Sequence, residues 1–513
     1  MAAPSHFPGP FRPDLPIDFA ALREVFRRVE YTEDALTTAL EQRNEQKVDM
    51  PVALYRTAEP TALNTLIRIF ALHLSVEEEA LRQAVAPFDM EKLVVAGLIE
   101  RGAHGVRATA RLLPWRDLLL LNDFLPAEGD PLPADFVMSG ASSSSVSLAS
   151  LTIRRRVRNV LDLGTGSGIH ALLAAPHAER VVATDANPRA LNFTAMNARL
   201  NGIENISVVE GSFFEPVHGE RFDLIVSNPP FIIAPPAGLL FQGTGVGGDV
   251  VSERVVREAP AYLQEGGYAV SLISWHHDGS GDWPVRPRAW AADTGCDAWI
   301  LRAVDEDPLT YAVNALRQTE PSRSPSYAAK LEAWLSYYRQ QNFARLAIGA
   351  VILRKRSAPQ NWIRCDAIPP AARAEASDQI LRIFAAEDLL ASLHNDDGLL
   401  DQGIFLHPDH VIEQELGMQL DGLEIKSAIL GATRGIRFRA TLDSRVLAFL
   451  MQCDGQRTLR EAIAAMAKQF DMDFKTAVEG GLPIIRSMLR QGMLVSRQET
   501  VPSARAPRHG QNS

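Results

Sequence analysis

Apolar residues fall into three differently patterned zones along the chain. In the first, Leu63, Leu66, Ile67, Phe70 and Leu74 recur at helical spacing, and Leu81, Val85, Leu93, Val94 and Leu98 continue it. The stretch from Leu93 to Gly102 leaves a helix for a short strand, and Gly105 turns it into a second strand through Val106–Thr109. Helices closed by a small hairpin predict a winged-helix-like module over residues 1–134. Such modules bind nucleic acid in some proteins and serve packing or docking in others, so the pattern assigns no function by itself.

The second zone alternates short apolar runs with helical patterns, which predicts a parallel sheet covered by helices. Seven runs qualify as strands, at 160–163, 180–185, 206–209, 222–227, 268–273, 297–301 and 345–353. The third zone opens with proline-rich and acidic connectors. It then runs through Val446–Leu450, the Asp454-Gly455 turn, a helical pattern at Leu459, Ile463, Met466 and Phe470, and another at Ile484, Ile485, Met488 and Leu489. It closes on Gly492-Met493-Leu494-Val495. Residues 358–500 therefore read as a second winged-helix-like module or a helical bundle, and 501–513 as a disordered tail.

Composition narrows the classes. With 46% hydrophobic and 22% charged residues, the 513-residue chain has the balance of a soluble globular protein. It shows neither a membrane-spanning run nor a secretory signal. The three cysteines, Cys296, Cys365 and Cys453, are far apart, which argues against disulfides or a zinc cluster and for a reducing cytoplasm. The formal charge of −10 gives no global attraction for polyphosphate. The run Arg154-Arg155-Arg156-Val157-Arg158 is either a solvated helix face or a local basic patch. His276 and His277 read as an exposed loop pair after a strand, with no third ligand to suggest a metal.

The strongest local signal is Val160 to Gly168, an apolar strand running into a glycine-rich turn that opens a helix. Glycine is required where main chain takes positive φ or must meet a ligand directly. The spacing, Gly164, Gly166 and Gly168 after Asp162, is G-x-G-x-G rather than the dinucleotide pattern G-x-G-x-x-G. With the upstream carboxylate, it favours a ligand bearing an ammonium and a carboxylate over one bearing a pyrophosphate. Asp185 closes the next strand, where an acidic group can accept from both ribose hydroxyls of a nucleoside or can cap a helix. Gly211-Ser212-Phe213-Phe214 follows the third strand, where an adenine ring would lie. Phe213 either covers that ring or is plain core.

The fourth strand ends in Asn228-Pro229-Pro230-Phe231. Prolines offer carbonyl acceptors but no N–H, and the residue before a proline is held extended. The Asn228 oxygen and a proline carbonyl can thus form a rigid pair of acceptors. Such a pair grips both hydrogens of a conjugated NH2 and turns its lone pair toward an electrophilic methyl, while Phe231 offers a flat face for stacking. The serine-rich stretch 138–145, just upstream of the first strand, is either a lid or a flexible linker.

The order of DLGTGSG at 162–168, Asp185, GSFF at 211–214 and NPPF at 228–231 resembles class I methyltransferases of the small-methyltransferase-domain group. That group includes HemK-like release-factor glutamine methyltransferases and enzymes acting on exocyclic amines of rRNA or tRNA bases. The resemblance covers 135–357 and implies a seven-stranded, mostly parallel Rossmann-like sheet with the strand at 345–353 running antiparallel. It implies S-adenosylmethionine as cofactor, held by Asp162, Gly164, Thr165, Gly166, Gly168, Asp185, Ser212, Phe213 and Asn228. Asn228, Pro229, Pro230 and Phe231 would hold the amine, and no metal is implied. Two departures stand out: many relatives carry an acid at Ser212, and the glutamine enzymes usually carry tyrosine at Phe231. The expectation is therefore a cytoplasmic N-methyltransferase acting on a macromolecule, with RNA or DNA slightly ahead of protein glutamine. A small-molecule methyltransferase and a non-catalytic cofactor-binding scaffold are the alternatives. The oligomeric state is left open.

Overall fold

The computed structural model describes residues 8–40, 48–126, 132–236, 248–317, 325–368, 375–419 and 422–497. The tail expected at 501–513 lies outside the described residues. The chain divides into two compact units, 1–148 with 156–367 and 149–155 with 368–513. Among the described residues, no helix is long and apolar enough to cross a membrane.

The first unit is built on one sheet. Its strands are β1 (Val157–Leu163), β2 (Ala178–Asp185), β3 (Ile206–Glu210), β4 (Phe222–Ser227), β5 (Leu263–His277), β6 (Cys296–Glu306), β7 (Arg345–Lys355) and β8 (Ile363–Ala367). They lie in the order β8-β6-β7-β5-β4-β1-β2-β3. Strands β1 to β5 are mutually parallel, and β7 is antiparallel to both β5 and β6, between which it is inserted. All seven expected runs are strands here. The eighth, β8, pairs parallel with β6 beyond the expected limit at 357.

The central strands are continuous apolar runs because helices cover both faces. Leu161, Val182, Ile225, Ile273, Ile300 and Val351 share one buried cluster. The chain leaves β1 to the β2–β3 side and returns to β4 on the other side. The first switch in strand order therefore falls between β1 and β4, where open α/β sheets bind ligands outside the strand C-termini. Register aligns those ends: Leu163 pairs with both Thr184 and Ser227, and Asp185 pairs with Glu210.

The N-terminal residues form short helices and two hairpins, Ile99–Gly102 with Gly105–Ala108 and Arg111–Trp115 with Leu118–Asn122. They pack on the helix Pro188–Leu200, here α3, which follows Ser143–Leu151 (α1) and Ile169–Ala174 (α2) in the part of the chain that carries the sheet. Along it, the Asn192 amide brackets the Phe11 peptide at 3.0 and 3.1 Å, that of Asn197 brackets Leu121 at 2.8 and 3.1 Å, and that of Asn201 brackets Leu119 at 2.8 and 2.9 Å. Buried amides need such partners, and peptide groups supply a donor and an acceptor together.

In the second unit, the helices Leu459–Gln469 and Phe474–Arg490 share a core with Leu400, Ile404, Phe449 and Leu494. The strands Asp454–Thr458, Gly403–Leu406 and Leu494–Ser496 close it as a small sheet. A second antiparallel sheet, His410–Gln419, Gly422–Ala432 and Arg439–Leu442, occupies a region expected to be connector.

Three sequence expectations change. His276 and His277 belong to β5, paired with Leu346 and Arg345, rather than to a loop. The His277 ring lies 3.2 Å from Asp305, and that of His276 stacks on Phe343 at 4.3 Å. The arginine run is not helical: Arg154–Arg156 is an irregular connector, Arg158 sits in β1, and Arg154 pairs with Glu375 at 3.3 Å. The serine stretch is not linker throughout, because after the irregular residues 138–142 Ser143 starts the helix α1, Ser143–Leu151.

Candidate active site

Four strand ends converge on one edge of the sheet. At β1, Gly164, Gly166 and Gly168 all take positive φ, +73°, +56° and +87°, which side chains rarely adopt. The turn is pinned from β2, with the Thr184 carbonyl accepting from Gly164 N and Thr165 N at 2.9 Å each. It is pinned again from α3, where Thr194 Oγ1 donates to the Gly166 carbonyl at 3.0 Å and Asn197 Nδ2 to that of Ser167 at 2.8 Å. Neither Thr194 nor Asn197 was singled out from sequence. Polar residues three apart on a helix face that is otherwise core were the available signal.

A Cβ added at Gly164 or Gly166 would meet nothing within 4 Å, so bare main chain faces open space there. At Gly168 it would approach Thr194 to 2.9 Å, so this glycine serves packing against α3. Asp185 bridges the loop at the end of β2, accepting from Gly166 N and Asn187 N at 2.9 Å each. Burial pushes its pKa up, opposed by those main-chain donors. Its oxygens retain lone pairs for a further donor.

Beneath the turn, Asp162 accepts on Oδ2 from the Thr165 hydroxyl at 2.6 Å and from Ala171 N at 2.9 Å. Its Oδ1 is buried with no hydrogen-bond partner among the described residues. Burial pushes this carboxyl up to about 7. An orphaned acceptor, a glycine cradle open to a ligand and a second carboxylate at the next strand fit a group carrying an ammonium and a ribose.

The other expected cofactor residues are placed differently. The Thr165 hydroxyl is spent on Asp162 and points inward. Ser212 is exposed, one strand further along after β3. Phe213 packs on the β3–β5 core with the Arg254 guanidinium 3.9 Å over its ring, so one face is already covered. The loop that carries it still meets Asp185, through Gly211 N on the Asp185 carbonyl at 3.0 Å.

At the end of β4, Ser227 Oγ donates to the Leu163 carbonyl at 2.9 Å and locks this strand to β1. Phe231 N donates to the Pro229 carbonyl at 2.7 Å, closing a tight turn. Ser274 Oγ of β5 donates to the Phe231 carbonyl, Ile233 N donates to Tyr311 Oη at 3.1 Å, and Tyr338 Oη donates to the Ile233 carbonyl at 2.7 Å. The tetrad is thus clamped by residues that sequence did not identify. Asn228 donates its Nδ2 hydrogens to Ser144 and Ser145, at 3.3 and 3.4 Å.

A family model described as methyltransferase small domain matches residues 142–278. Two others, described as domains of unknown function (DUF7059 and DUF7782), match 28–109 and 382–496. A release factor glutamine methyltransferase of Xylella fastidiosa is 40% identical over 134 residues, 23% of this chain and 47% of that protein. A ribosomal protein uL3 glutamine methyltransferase of Bradyrhizobium diazoefficiens is 39% identical over 168 residues, 29% of this chain and 52% of its own length. The chain spans about half the length of these two relatives. A Methanocaldococcus jannaschii protein described as a "putative protein N5-glutamine methyltransferase" is 33% identical over 141 residues, 26% of this chain and 70% of that protein. The matched model takes in the glycine turn, Asp185 and the NPPF tetrad, and the chain belongs to the small-domain methyltransferases that include the HemK-like enzymes.

Proposed function

We propose that this chain transfers a methyl group from S-adenosylmethionine to the side-chain amide nitrogen of a glutamine in a protein. The observation that carries the proposal is the clamped NPPF turn at the end of β4, beside an open glycine cradle and a ribose-suited carboxylate. The sequence leaned toward an RNA or DNA base. That preference is dropped, because the relatives are named for release factors and a ribosomal protein. A cytoplasmic location, as the sequence led us to expect, fits an acceptor of this kind.

Gly164 and Gly166 would present bare main chain to the cofactor, Asp185 would take its ribose hydroxyls and the Asp162 carboxyl its ammonium. The bound cofactor supplies a methyl group activated by an adjacent sulfonium. A glutamine amide is a weak nucleophile because its nitrogen lone pair is delocalised into the carbonyl. Asn228 Oδ1 and a carbonyl of the proline pair accept its two N–H groups. They hold the lone pair toward the donor and stabilise positive charge as it develops on nitrogen. The Pro229 carbonyl already accepts from Phe231 N, yet a carbonyl oxygen has a second lone pair for this task. Phe231 stacks on the planar amide. Alignment rather than a shifted base carries the rate: as the N–CH3 bond forms the S–CH3 bond breaks, the donor is left as a neutral thioether, and one amide proton passes to water.

The test offers methyl-labelled cofactor and the full chain to an extract of cells lacking the enzyme. Protease should release the label and ribonuclease should not, and acid hydrolysis of the labelled protein should liberate methylamine. Label released by ribonuclease would sink the glutamine assignment.

A further inference from the structure

Asn228 can hold an amine only if its oxygen, not its nitrogen, faces the substrate. A side-chain amide is nearly symmetric in shape, so its neighbours must choose the orientation. Those neighbours are two serines in the first turn of α1, joined by a third, Ser142, just before it. Asn228 Nδ2 lies 3.3 Å from Ser144 Oγ and 3.4 Å from Ser145 Oγ. Both hydroxyls also lie 3.0 Å from Ser142 Oγ, which accepts from Ser145 N at 3.3 Å.

We propose that Ser144 and Ser145, with Ser142 as their hub, are positioning residues that turn the Asn228 carboxamide so that Oδ1 faces the methyl acceptor. The proposal deepens the N-methyltransferase reading and rests on it for the role of the oxygen.

Counting hydrogens decides the orientation. With the amide nitrogen toward the serines, Ser144 and Ser145 each accept one N–H. Ser142 donates to Ser144, and Ser145 donates to Ser142. All five contacts then contain a hydrogen, no oxygen exceeds its two lone pairs, and the Ser144 hydrogen is left over. With the amide oxygen toward the serines, the hydrogens of Ser144 and Ser145 are both spent on it. Ser142 has one hydrogen left for two neighbours, and one 3.0 Å oxygen–oxygen contact is left with none. Ser145 is 5% exposed, so on its side of the hub water has little access to repair a contact left without a hydrogen.

The segment carrying these serines is itself anchored along the ligand-facing edge. The Asp135 carbonyl accepts from Asn187 Nδ2 at 2.9 Å, beside the ribose-suited Asp185. Gly140 packs so closely that an added Cβ would come within 2.5 Å of Ser167 Oγ in the glycine turn. The serine hub therefore has a fixed position relative to both the cofactor cradle and the tetrad.

The test pairs Ser144→Ala/Ser145→Ala with Ser144→Thr/Ser145→Thr in the full chain. Alanine keeps the helix start foldable, and threonine keeps the hydroxyls. The first readout is the Asn228 side-chain NH2 pair in 1H–15N spectra, assigned by its loss in Asn228→Ala. The pair should be dispersed and slow to exchange in the native and threonine proteins, and solvent-like in the alanine protein. The second readout is kinetic. In the alanine protein kcat should fall about 30-fold, the size of two unmade hydrogen bonds, with S-adenosylmethionine affinity unchanged and activity recovered by threonine. An unchanged NH2 pair, an unchanged kcat, or a parallel loss of cofactor affinity would each overturn the proposal. If the spectra respond as expected but the native protein methylates no acceptor, the orientation stands and the functional reading fails.

Discussion

Asp162 offers the most direct energetic test of the cofactor cradle. It is 1% exposed at the end of β1, and burial pushes its pKa from the ordinary 3.8 up to about 7. Oδ2 already faces two donors, so the neutral acid carries its proton on Oδ1. Between about pH 4 and pH 7 the folded state then holds a proton that the unfolded chain has released. The sign follows: stability contributed by this group is full below pH 4 and falls as pH rises through 7. Three pKa units at about 1.4 kcal/mol each make the loss about 4 kcal/mol. An asparagine side chain has the shape of the protonated acid, so Asp162→Asn should remove this dependence. Denaturant unfolding of both proteins at about pH 5 and pH 8 isolates it as a difference in which other titrating groups cancel. An ammonium placed beside Oδ1 favours the ionised acid, so cofactor binding near pH 7 should expel about half a proton more from the native protein than from the variant. Calorimetry in buffers of different ionisation enthalpy measures that excess. An equal stability gap at both pH values, together with no excess proton release, would refute a neutral Asp162 in the cofactor-free cradle.

Other residues separate binding, chemistry and stability. Asn228→Ala should lower methyl transfer by about 100-fold or more, as loss of an oriented electrostatic partner does, while cofactor affinity measured by calorimetry stays near that of the native protein. Asp185→Ala should weaken cofactor binding by about 1–3 kcal/mol; an unchanged dissociation constant would remove Asp185 from the site. Away from the site, Asp297 is 0% exposed and receives Arg354 at 2.6 Å and Arg356 at 2.7 Å. Asp297→Asn should therefore cost about 3–5 kcal/mol, read as a lower thermal midpoint, because it removes the buried carboxylate charge that both guanidiniums share.

The sheet was largely legible because strands buried on both faces must be apolar throughout, and Val160, Leu161, Val181, Val182, Ile225 and Val226 announce themselves. Strand β8 lacked that signal: Ile-Arg-Cys-Asp-Ala is half-buried at the sheet edge, where only β6 dictates its composition. The hairpin at 410–432 was hidden for a similar reason, since Glu413, Gln414, Glu415 and Leu416 in its first strand are exposed. In β5 the polar pair His276-His277 looked like the end of the strand, yet both residues keep main-chain register with β7 and settle against Asp305 and Phe343.

Within the site, legibility divides between main chain and side chain. Glycine at positive φ and proline without an N–H are backbone requirements written directly into residue identity, so the cradle and the tetrad can be read from their spacing. The direction of a side chain is not written there. Thr165 sits in the glycine motif but bonds inward to Asp162, and the ring of Phe213 meets Arg254. The serines that hold Asn228 lie 84 and 83 positions before it, and hydroxyls donate or accept equally well. Even knowing that they touch would leave open which end of the amide they face. The asymmetry enters only with Ser142, whose single hydrogen cannot serve two oxygens at once. A property decisive for holding an amine thus arises from the number of protons shared among four side chains, which no one of their positions in the sequence encodes.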